Sequence, residues 1–108
     1  MSKSDAGVGN GLNGLDTLYE HRLRLGAGVL LSRMEALSFA RLKELLQATD
    51  GNLGAQLRKL EDAGYIEARK DYQDRKPITW YSLTPPGRAA LKTHLAAVEA
   101  IIRTADTG

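Results

Sequence analysis

The sequence predicts a mainly α-helical domain that carries one small β-hairpin. Four segments place apolar residues at the spacing of a helix face. One stretch near residue 80 is rich in β-branched and aromatic residues and follows a polar, turn-like segment, as in a hairpin. Only three residues separate the second helical segment from the third. With 108 residues, the chain has the length of a single domain, which we place at 15–105.

The first residues, 1–14, predict a disordered tail. They hold four of the eleven glycines and few apolar side chains that a core could bury. Gly7, Gly9 and Gly11 do not have the spacing of a phosphate-binding loop, and no Gly-Lys-Ser/Thr follows them. We therefore expect a flexible tail that binds no nucleotide.

The composition excludes several classes of protein. With 43% hydrophobic and 26% charged residues, the chain is typical of soluble globular proteins. The absence of cysteine excludes disulfides, thiolate metal sites and thiol nucleophiles. No apolar run is long enough for a membrane span or a signal peptide, so we expect a cytoplasmic protein. The net charge is only +2, so recognition of an anionic partner would depend on where the charges lie.

The first helix is predicted over 17–33. Thr17 and Glu20 have the spacing of a capping box at its start. Gly26 and Gly28 lie inside it, each unfavourable by about 1 kcal/mol relative to alanine, which indicates that another helix approaches closely. The apolar residues that recur at helical spacing are Leu23, Ala27, Leu30 and Met34.

A short strand and a second helix follow. Leu37 is expected in a very short strand, and Ser38 can cap a helix over Phe39–Leu46. The apolar stripe of this helix consists of Phe39, Leu42, Leu45 and Leu46. The next three residues, 47–49, are expected to form a tight break.

The third helix is predicted over 50–63. Thr49 or Asp50 can cap its start, and Gly64 stands where a left-handed residue would end it. Leu53, Leu57 and Leu60 share one face, so the polar residues of this helix lie outside that stripe. One face packs while the other stays free.

A hairpin and a long helix complete the domain. Strands are predicted at 65–72 and 78–83 with a turn at 73–77, and Thr84 with Pro85 opens a last helix that reaches about Arg103. That helix carries more apolar surface than one core needs, since a second row widens its first seam. The seam contains Leu91, Leu95, Val98 and Ile102, and the second row contains Ala90, Ala97 and Ile101.

The width of this apolar surface predicts a homodimer through the first and last helices. A small monomer would otherwise leave Ala97 and Ile101 exposed as a patch. The residues expected at the dimer interface are Leu23, Ala97, Val98, Ile101 and Ile102.

The order α1-β1-α2-α3-β2-β3-α4 is that of a winged helix-turn-helix. The tight turn places the third helix across the second, and the hairpin closes the core over both. The chain from 15 to 102 resembles the winged-helix transcriptional regulators of the MarR-like and ArsR-like kind. The stretches that carry the resemblance are HRLRL at 21–25, FARLKELL at 39–46, DGNL at 50–53, LRKLEDAGYI at 57–66, YSLTP at 81–85 and GR at 87–88. Pro86 departs from it, since an acidic residue is expected there.

The resemblance implies a transcriptional regulator that binds specific duplex DNA as a homodimer, with helix 50–63 in the major groove and the wing, 72–78, at the phosphates or minor groove. The residues agree, because Asn52 and Gln56 lie one turn apart and such amides can contact adenine at two atoms, and Arg75 and Lys76 can reach phosphate. The residues expected to contact DNA are Lys43, Thr49, Gly51, Asn52, Ala55, Gln56, Arg58, Lys59, Arg69, Lys70, Arg75 and Lys76.

Other functions stay open at this stage. A winged-helix module that binds protein without DNA is the main alternative, because a fold does not dictate its function. An enzyme is not expected, since no acid, base or nucleophile converges. The two histidines, His21 and His94, are too few for a typical metal-ligand set, so neither metal nor cofactor is expected.

We assign the aromatic residues of the hairpin, Tyr65, Tyr72, Trp80 and Tyr81, to packing rather than base stacking. The sequence does not identify an effector ligand.

Overall fold

The predicted order of helices and strands is confirmed by the computed structural model, which describes residues 12–107. The predicted tail falls mostly on 1–11, outside the described residues, so its extent stays a prediction. A 3₁₀ turn precedes the first helix, and the three strands form one antiparallel sheet in the order β1-β3-β2. The elements are the 3₁₀ turn Thr17–Glu20, α1 Arg22–Arg33, β1 Leu37–Ser38, α2 Phe39–Leu46, α3 Asp50–Asp62, β2 Ile66–Gln73, β3 Lys76–Leu83 and α4 Pro85–Thr107.

The start of the first helix was predicted wrongly. The 3₁₀ turn is capped by Asp16, whose carboxylate accepts a hydrogen bond from the amide of Leu18 at 2.9 Å. His21 then adopts an extended conformation and caps α1, its Nδ1 accepting from the amide of Leu23 at 3.1 Å. The extended residue separates the two helices and leaves Tyr19 buried in the core. The Thr17 capping box is therefore absent.

The helix-turn-helix pair forms as predicted. Ser38 caps α2, and its hydroxyl accepts from the amide of Arg41 at 3.1 Å. Gln47 takes a left-handed conformation with φ 52°, which ends α2 within one residue. Thr49, rather than Asp50, caps α3 by accepting from the amide of Asn52 at 3.3 Å.

The core lies between α3, α1 and the sheet. Its buried residues come from the helices and from the sheet. The close approach expected at Gly26 and Gly28 is found at both glycines of α1. A Cβ on Gly26 would lie 2.6 Å from the side chain of Leu46 in α2, and one on Gly28 would lie 2.7 Å from the ring of Tyr19. The approach at Gly28 comes from the 3₁₀ turn, not from a helix. The largest fully buried side chains are Tyr19, Leu31, Leu42, Leu53, Leu57, Leu60 and Ile66.

The hairpin turn is tighter than predicted. β2 and β3 pair in register from Ile66 opposite Leu83 to Gln73 opposite Lys76, so the turn has two residues instead of five. Both turn residues have positive φ, 52° at Asp74 and 67° at Arg75, which is the geometry that matches the twist of a two-residue hairpin.

The last helix is longer than predicted and buries a different stripe. Thr84 caps α4 by accepting from the amide of Gly87 at 3.0 Å, and the helix continues to Thr107. Ala97, expected to be exposed in a monomer, is only 7% exposed, whereas Leu95, assigned to the seam, is 43% exposed. The core-facing stripe passes through buried His94 instead. No helix in the described part of the chain has the length and apolar character needed to cross a bilayer.

Candidate nucleic-acid interface

The outward face of α3 is uncovered by the rest of the domain. Its three leucines are buried, whereas most of its polar residues are exposed on the opposite side. A Cβ placed on Gly51 or on Gly54 meets no atom within 4 Å. The predicted contact residues exposed on this helix are Gly51, Asn52, Ala55, Arg58 and Lys59. A single helix of about 20 Å presents them, and an α-helix fits the major groove of duplex DNA.

Charge is unevenly distributed along α3. The last turn carries the exposed acids Glu61 and Asp62, whereas Arg58 and Lys59 precede them. The pKa of Tyr81 is raised mainly by burial and further by the carboxylate of Glu61, while Arg58 acts in the opposite direction. An approaching phosphate backbone is therefore favoured beside Arg58 and Lys59 and opposed at the last turn of α3.

Gln56 differs from the other predicted contact residues of α3 because it is half-buried and its side chain is already hydrogen-bonded. Its side-chain oxygen accepts a hydrogen bond from Nη1 of Arg24 in α1. The same guanidinium donates from Nε to the carbonyl of Leu18 at 2.6 Å and from Nη2 to that of Thr17 at 3.4 Å. No local pattern marks Arg24 in the sequence, since its partner lies 32 positions away.

The start of α3 is held to α2 by an ion pair. Nζ of Lys43 lies 2.8 Å from the carboxylate of Asp50, and both side chains remain partly exposed. Thr49 is exposed beside them and its hydroxyl serves as the helix cap. Lys43 therefore presents a partly neutralised charge at this end of the face.

The wing carries its free cations at and near the tip. Arg69 is paired with Asp71 at 3.0 Å, and the pKa of that carboxyl is lowered first by the amide of Tyr72 and then by Arg69. Within the described residues, Arg75 and Lys76 form no ion pair with a carboxylate, and neither does Lys70; all three are exposed.

One of the hairpin aromatic residues is not packed. Tyr72 is 74% exposed, so its assignment to packing was wrong. Because side chains alternate along a strand, Tyr72 shares its face of β2 with Lys70. Tyr65 stacks on Tyr19 with ring centroids 5.3 Å apart, and Tyr81 lies 6.5 Å from Phe39. Trp80 is half-buried.

A buried polar cluster fixes the scaffold behind this face. The hydroxyl of Tyr65 donates to the carboxylate of Asp16 at 2.5 Å, and the amide of Asp16 donates to Nδ1 of His94 at 2.9 Å. The hydroxyl of Tyr19 donates to the carbonyl of Gly87 at 2.9 Å, and burial raises its pKa. The residues described hold no group of three His, Asp or Glu side chains arranged for a metal ion.

The predicted dimer residues occupy different environments. Leu23 and Ala97 are buried within the protomer at 4% and 7% exposure. Val98 and Ile101 are half-buried, and Ile102 is 55% exposed. Among the described side chains of α4, the exposed large apolar residues are Leu95 and Ile102.

The chain has a tight helix-turn-helix, in which the outward face of α3 is uncovered, and a hairpin with cations at its tip. These features together define a winged-helix DNA-binding protein. Residues 23–102 match the family model described as winged helix DNA-binding domain, and the chain belongs to that family. The predicted resemblance is thereby confirmed.

Known proteins similar to this chain agree with that class. An uncharacterized protein of Methanocaldococcus jannaschii is 35% identical over 78 residues, 72% of this chain and 85% of that protein. A transcriptional regulator homologue from Pyrococcus horikoshii OT3 has a TM-score of 0.79 and 28% identity, covering 84% of this chain and 90% of the other. A MarR-family regulator from Silicibacter pomeroyi shares the fold, with a TM-score of 0.64 and 20% identity over 97% and 70% of the two chains. The family and the regulator homologue from Pyrococcus horikoshii support a DNA-binding transcriptional regulator.

Proposed function

We propose that the chain is a dimeric, sequence-specific regulator that places α3 in the major groove of duplex DNA and the wing beside the phosphates or in the minor groove. The observation that carries the proposal is the outward face of α3, which is open at Gly51 and Gly54 and covered by no other described element. A helix with such a face can approach base edges without rearrangement of the domain.

The roles of the α3 residues follow from their chemistry. Asn52 is exposed in the first turn, where its amide can donate to and accept from one base edge. Ala55 has a short side chain, so the centre of the face carries no bulky group. Arg58 and Lys59 supply positive charge toward the flanking phosphates. Thr49 caps α3, and Lys43 on α2 pairs with Asp50, so both lie near the start of α3, where backbone contacts are expected.

The wing supports the electrostatic part of the proposal. Arg75 and Lys76 are exposed and in no ion pair among the residues described, so both cations are available to phosphate. Lys70 adds a third charge on the same strand pair. Arg69 is shared with Asp71, which reduces what it can contribute.

Dimerisation supplies the symmetry that paired half-sites require. On α4, Leu95 is 43% and Ile102 is 55% exposed. α4 has 23 residues and a length of about 34 Å, so it can serve as a dimer arm. An isologous contact through α4 and α1 would cover these side chains and set two copies of α3 on one face of a duplex.

The test introduces a negative charge at the centre of the outward face. Ala55→Glu puts a carboxylate where DNA phosphates and base edges would lie, and the exposed position should leave the stability within about 0.5 kcal/mol. Ala89→Glu is the matched control, since Ala89 is also exposed but lies on α4. The affinity for duplex DNA, measured by fluorescence anisotropy, should fall at least about tenfold for Ala55→Glu, or about 1.4 kcal/mol.

The control variant should keep the affinity of the unmodified chain. Equal affinities for both variants would contradict the placement of α3 against DNA. Failure of the unmodified chain to bind duplex DNA even at low salt would favour the alternative of a protein-binding module.

A further inference from the structure

We propose that Arg24 decides which base Gln56 reads, by holding the side-chain amide of Gln56 in one orientation. This inference rests on the proposed function, since it concerns the α3 face in contact with DNA. Arg24 lies in α1 and does not itself need to touch DNA. It acts as a positioning residue for specificity.

The hydrogen bond between the two side chains fixes the amide. The oxygen Oε1 of Gln56 points to the guanidinium and accepts from Nη1 of Arg24. Rotating the amide by 180° would put its NH₂ group against the N–H groups of Arg24, and two donors would then face each other. No acceptor among the described residues takes a hydrogen bond from Nε2 of Gln56. The free end of the amide is therefore its donor end.

The guanidinium cannot easily turn away from this arrangement. Its Nε donates to the carbonyl of Leu18 at 2.6 Å and its Nη2 to that of Thr17 at 3.4 Å. Both carbonyls belong to the 3₁₀ turn beside α1. Because the guanidinium is planar, bonds on its other edges hold the edge that faces Gln56 in place.

A glutamine fixed in this way prefers a different base from a free one. A free glutamine accepts from N6 and donates to N7 of adenine, which requires an available oxygen. Oε1 keeps a second lone pair, but Arg24 holds this oxygen toward α1, so the end of Gln56 that is left for a base is its NH₂ group with two N–H donors. Guanine is the base whose major-groove edge presents two acceptors, O6 and N7. We therefore infer guanine, instead of the adenine expected from the sequence, at the base that Gln56 contacts.

The experiment selects bound sequences from a randomised duplex library with the full chain and its variants. For the unmodified chain we expect guanine at one position of each half-site, and Gln56→Ala should lose that preference by about fivefold or more. Gln56→Glu keeps an acceptor for Arg24 and removes both donors. Its preference should move to cytosine, whose N4 amino group donates to a carboxylate.

A second pair of variants tests the role of Arg24 itself. Arg24→Met removes the donors that hold Oε1, so adenine should become acceptable at the Gln56 position. Arg22→Met is the matched control, because Arg22 is exposed on the same helix and its loss should leave the base ranking unchanged. Thermal unfolding checks that each variant is folded, and the choice of the unmodified chain between guanine and adenine tests the inference even where Arg24→Met is unstable.

The outcomes separate this inference from the proposed function. Adenine at the position that depends on Gln56 would overturn the inference, and so would an unchanged base ranking in a folded Arg24→Met variant. A defined motif with no position sensitive to Gln56→Ala would overturn it as well, while leaving the proposed function intact. If the unmodified chain enriches no sequence, the proposed function itself is wrong.

Discussion

Tyr65 and Asp16, 49 positions apart, are joined by a hydrogen bond of 2.5 Å from the phenol hydroxyl to the carboxylate. Asp16 is also bonded through its amide to His94 of α4, at 2.9 Å. Tyr65 lies three residues after the end of α3 and directly precedes β2. The contact therefore fixes the end of the proposed recognition helix relative to the proposed dimer helix, which is what two copies of α3 on one duplex require.

Replacing Tyr65 should show this contact in the pH dependence of folding. The hydrogen bond to Asp16, with a smaller effect of burial, raises the pKa of Tyr65 from 10.0 to about 12. The folded chain keeps this proton where the unfolded chain loses it, so the free energy of unfolding falls as the pH rises from 10 to 12. Tyr65→Phe should cost about 1.5 to 3 kcal/mol at pH 7 and make that fall shallower, as measured by urea unfolding. Parallel pH profiles for the two chains would contradict the assignment.

Two glycines in helices should respond to alanine with opposite signs. A Cβ on Gly87 would lie 2.0 Å from the backbone carbonyl oxygen of Tyr65, whereas one on Gly54 meets nothing within 4 Å. Gly87→Ala should therefore destabilise the domain by about 3 kcal/mol or prevent folding, since backbone atoms cannot yield. Gly54→Ala should stabilise it by about 0.5 to 1 kcal/mol.

Thermal unfolding of the two alanine variants compares them directly. Similar shifts in melting temperature for both, or a loss of stability at Gly54, would show that the packing around these helices differs from that described. Nothing in the structure explains glycine at position 54 through packing. A Gly54→Ala variant that is more stable but binds DNA less tightly would show that DNA approaches this position.

Relaxing the backbone at the wing tip by replacing Arg75 should raise the stability of the fold and lower the affinity for DNA. Arg75 has φ 67°, a conformation that costs a non-glycine residue about 1 kcal/mol or more. Arg75→Gly should therefore stabilise the fold while weakening DNA binding. Asp74→Gly is the matched control at the neighbouring left-handed residue, φ 52°, because it relaxes the same turn without removing a cation. Its affinity for DNA should not fall.

The salt dependence of binding identifies what the wing contacts. In a dimer, neutralising Arg75 and Lys76 together removes up to four cations, so the slope of log affinity against log salt should become shallower by up to about 3.6. The loss should be the same on specific and nonspecific DNA. An unchanged slope in a folded double variant would remove the wing from the interface, and a loss confined to one sequence would indicate minor-groove reading.

The dimer should depend on the exposed residues of α4. At tens of micromolar, light scattering should give about twice the 11.8 kDa mass of the chain. Ile102→Glu should yield a monomer, since it charges a side chain that is 55% exposed and is expected at the interface. Leu45→Glu, at a residue 41% exposed on α2, should remain dimeric. A monomeric unmodified chain would contradict the dimer.

Local sequence signals predicted the architecture well. Ser38, Thr49 and Gly64 mark helix ends through interactions within a few residues, and the leucine stripe of α3 has one possible buried side. The errors arose where a distant contact decides the conformation. Tyr19 is buried against Tyr65 and His94. The helix is interrupted at His21 because Tyr19 occupies that buried position, and no spacing in the first helix predicts this interruption.

The sequence indicated the residue types of the candidate site but not the contacts among them. Exposure of the α3 face follows from the helix period. The bond from Arg24 to Gln56 does not, because it joins α1 to α3 across the fold. The wing tip was predicted too long because Lys76 and Pro77 look like turn residues, yet both pair in β3. Pairing across a hairpin depends on register, and composition alone does not fix register.

Enrichment of duplex DNA by the unmodified full chain from a randomised library tests the central claim most directly. The account predicts a recurrent motif made of two inverted halves, whose centres lie about 10 to 10.5 base pairs apart or at a multiple of that spacing. Binding to that motif should exceed binding to a scrambled duplex by about 10³-fold or more. Recovery of unenriched sequence, with equal affinity for motif and scrambled duplex, would contradict sequence-specific recognition by this domain.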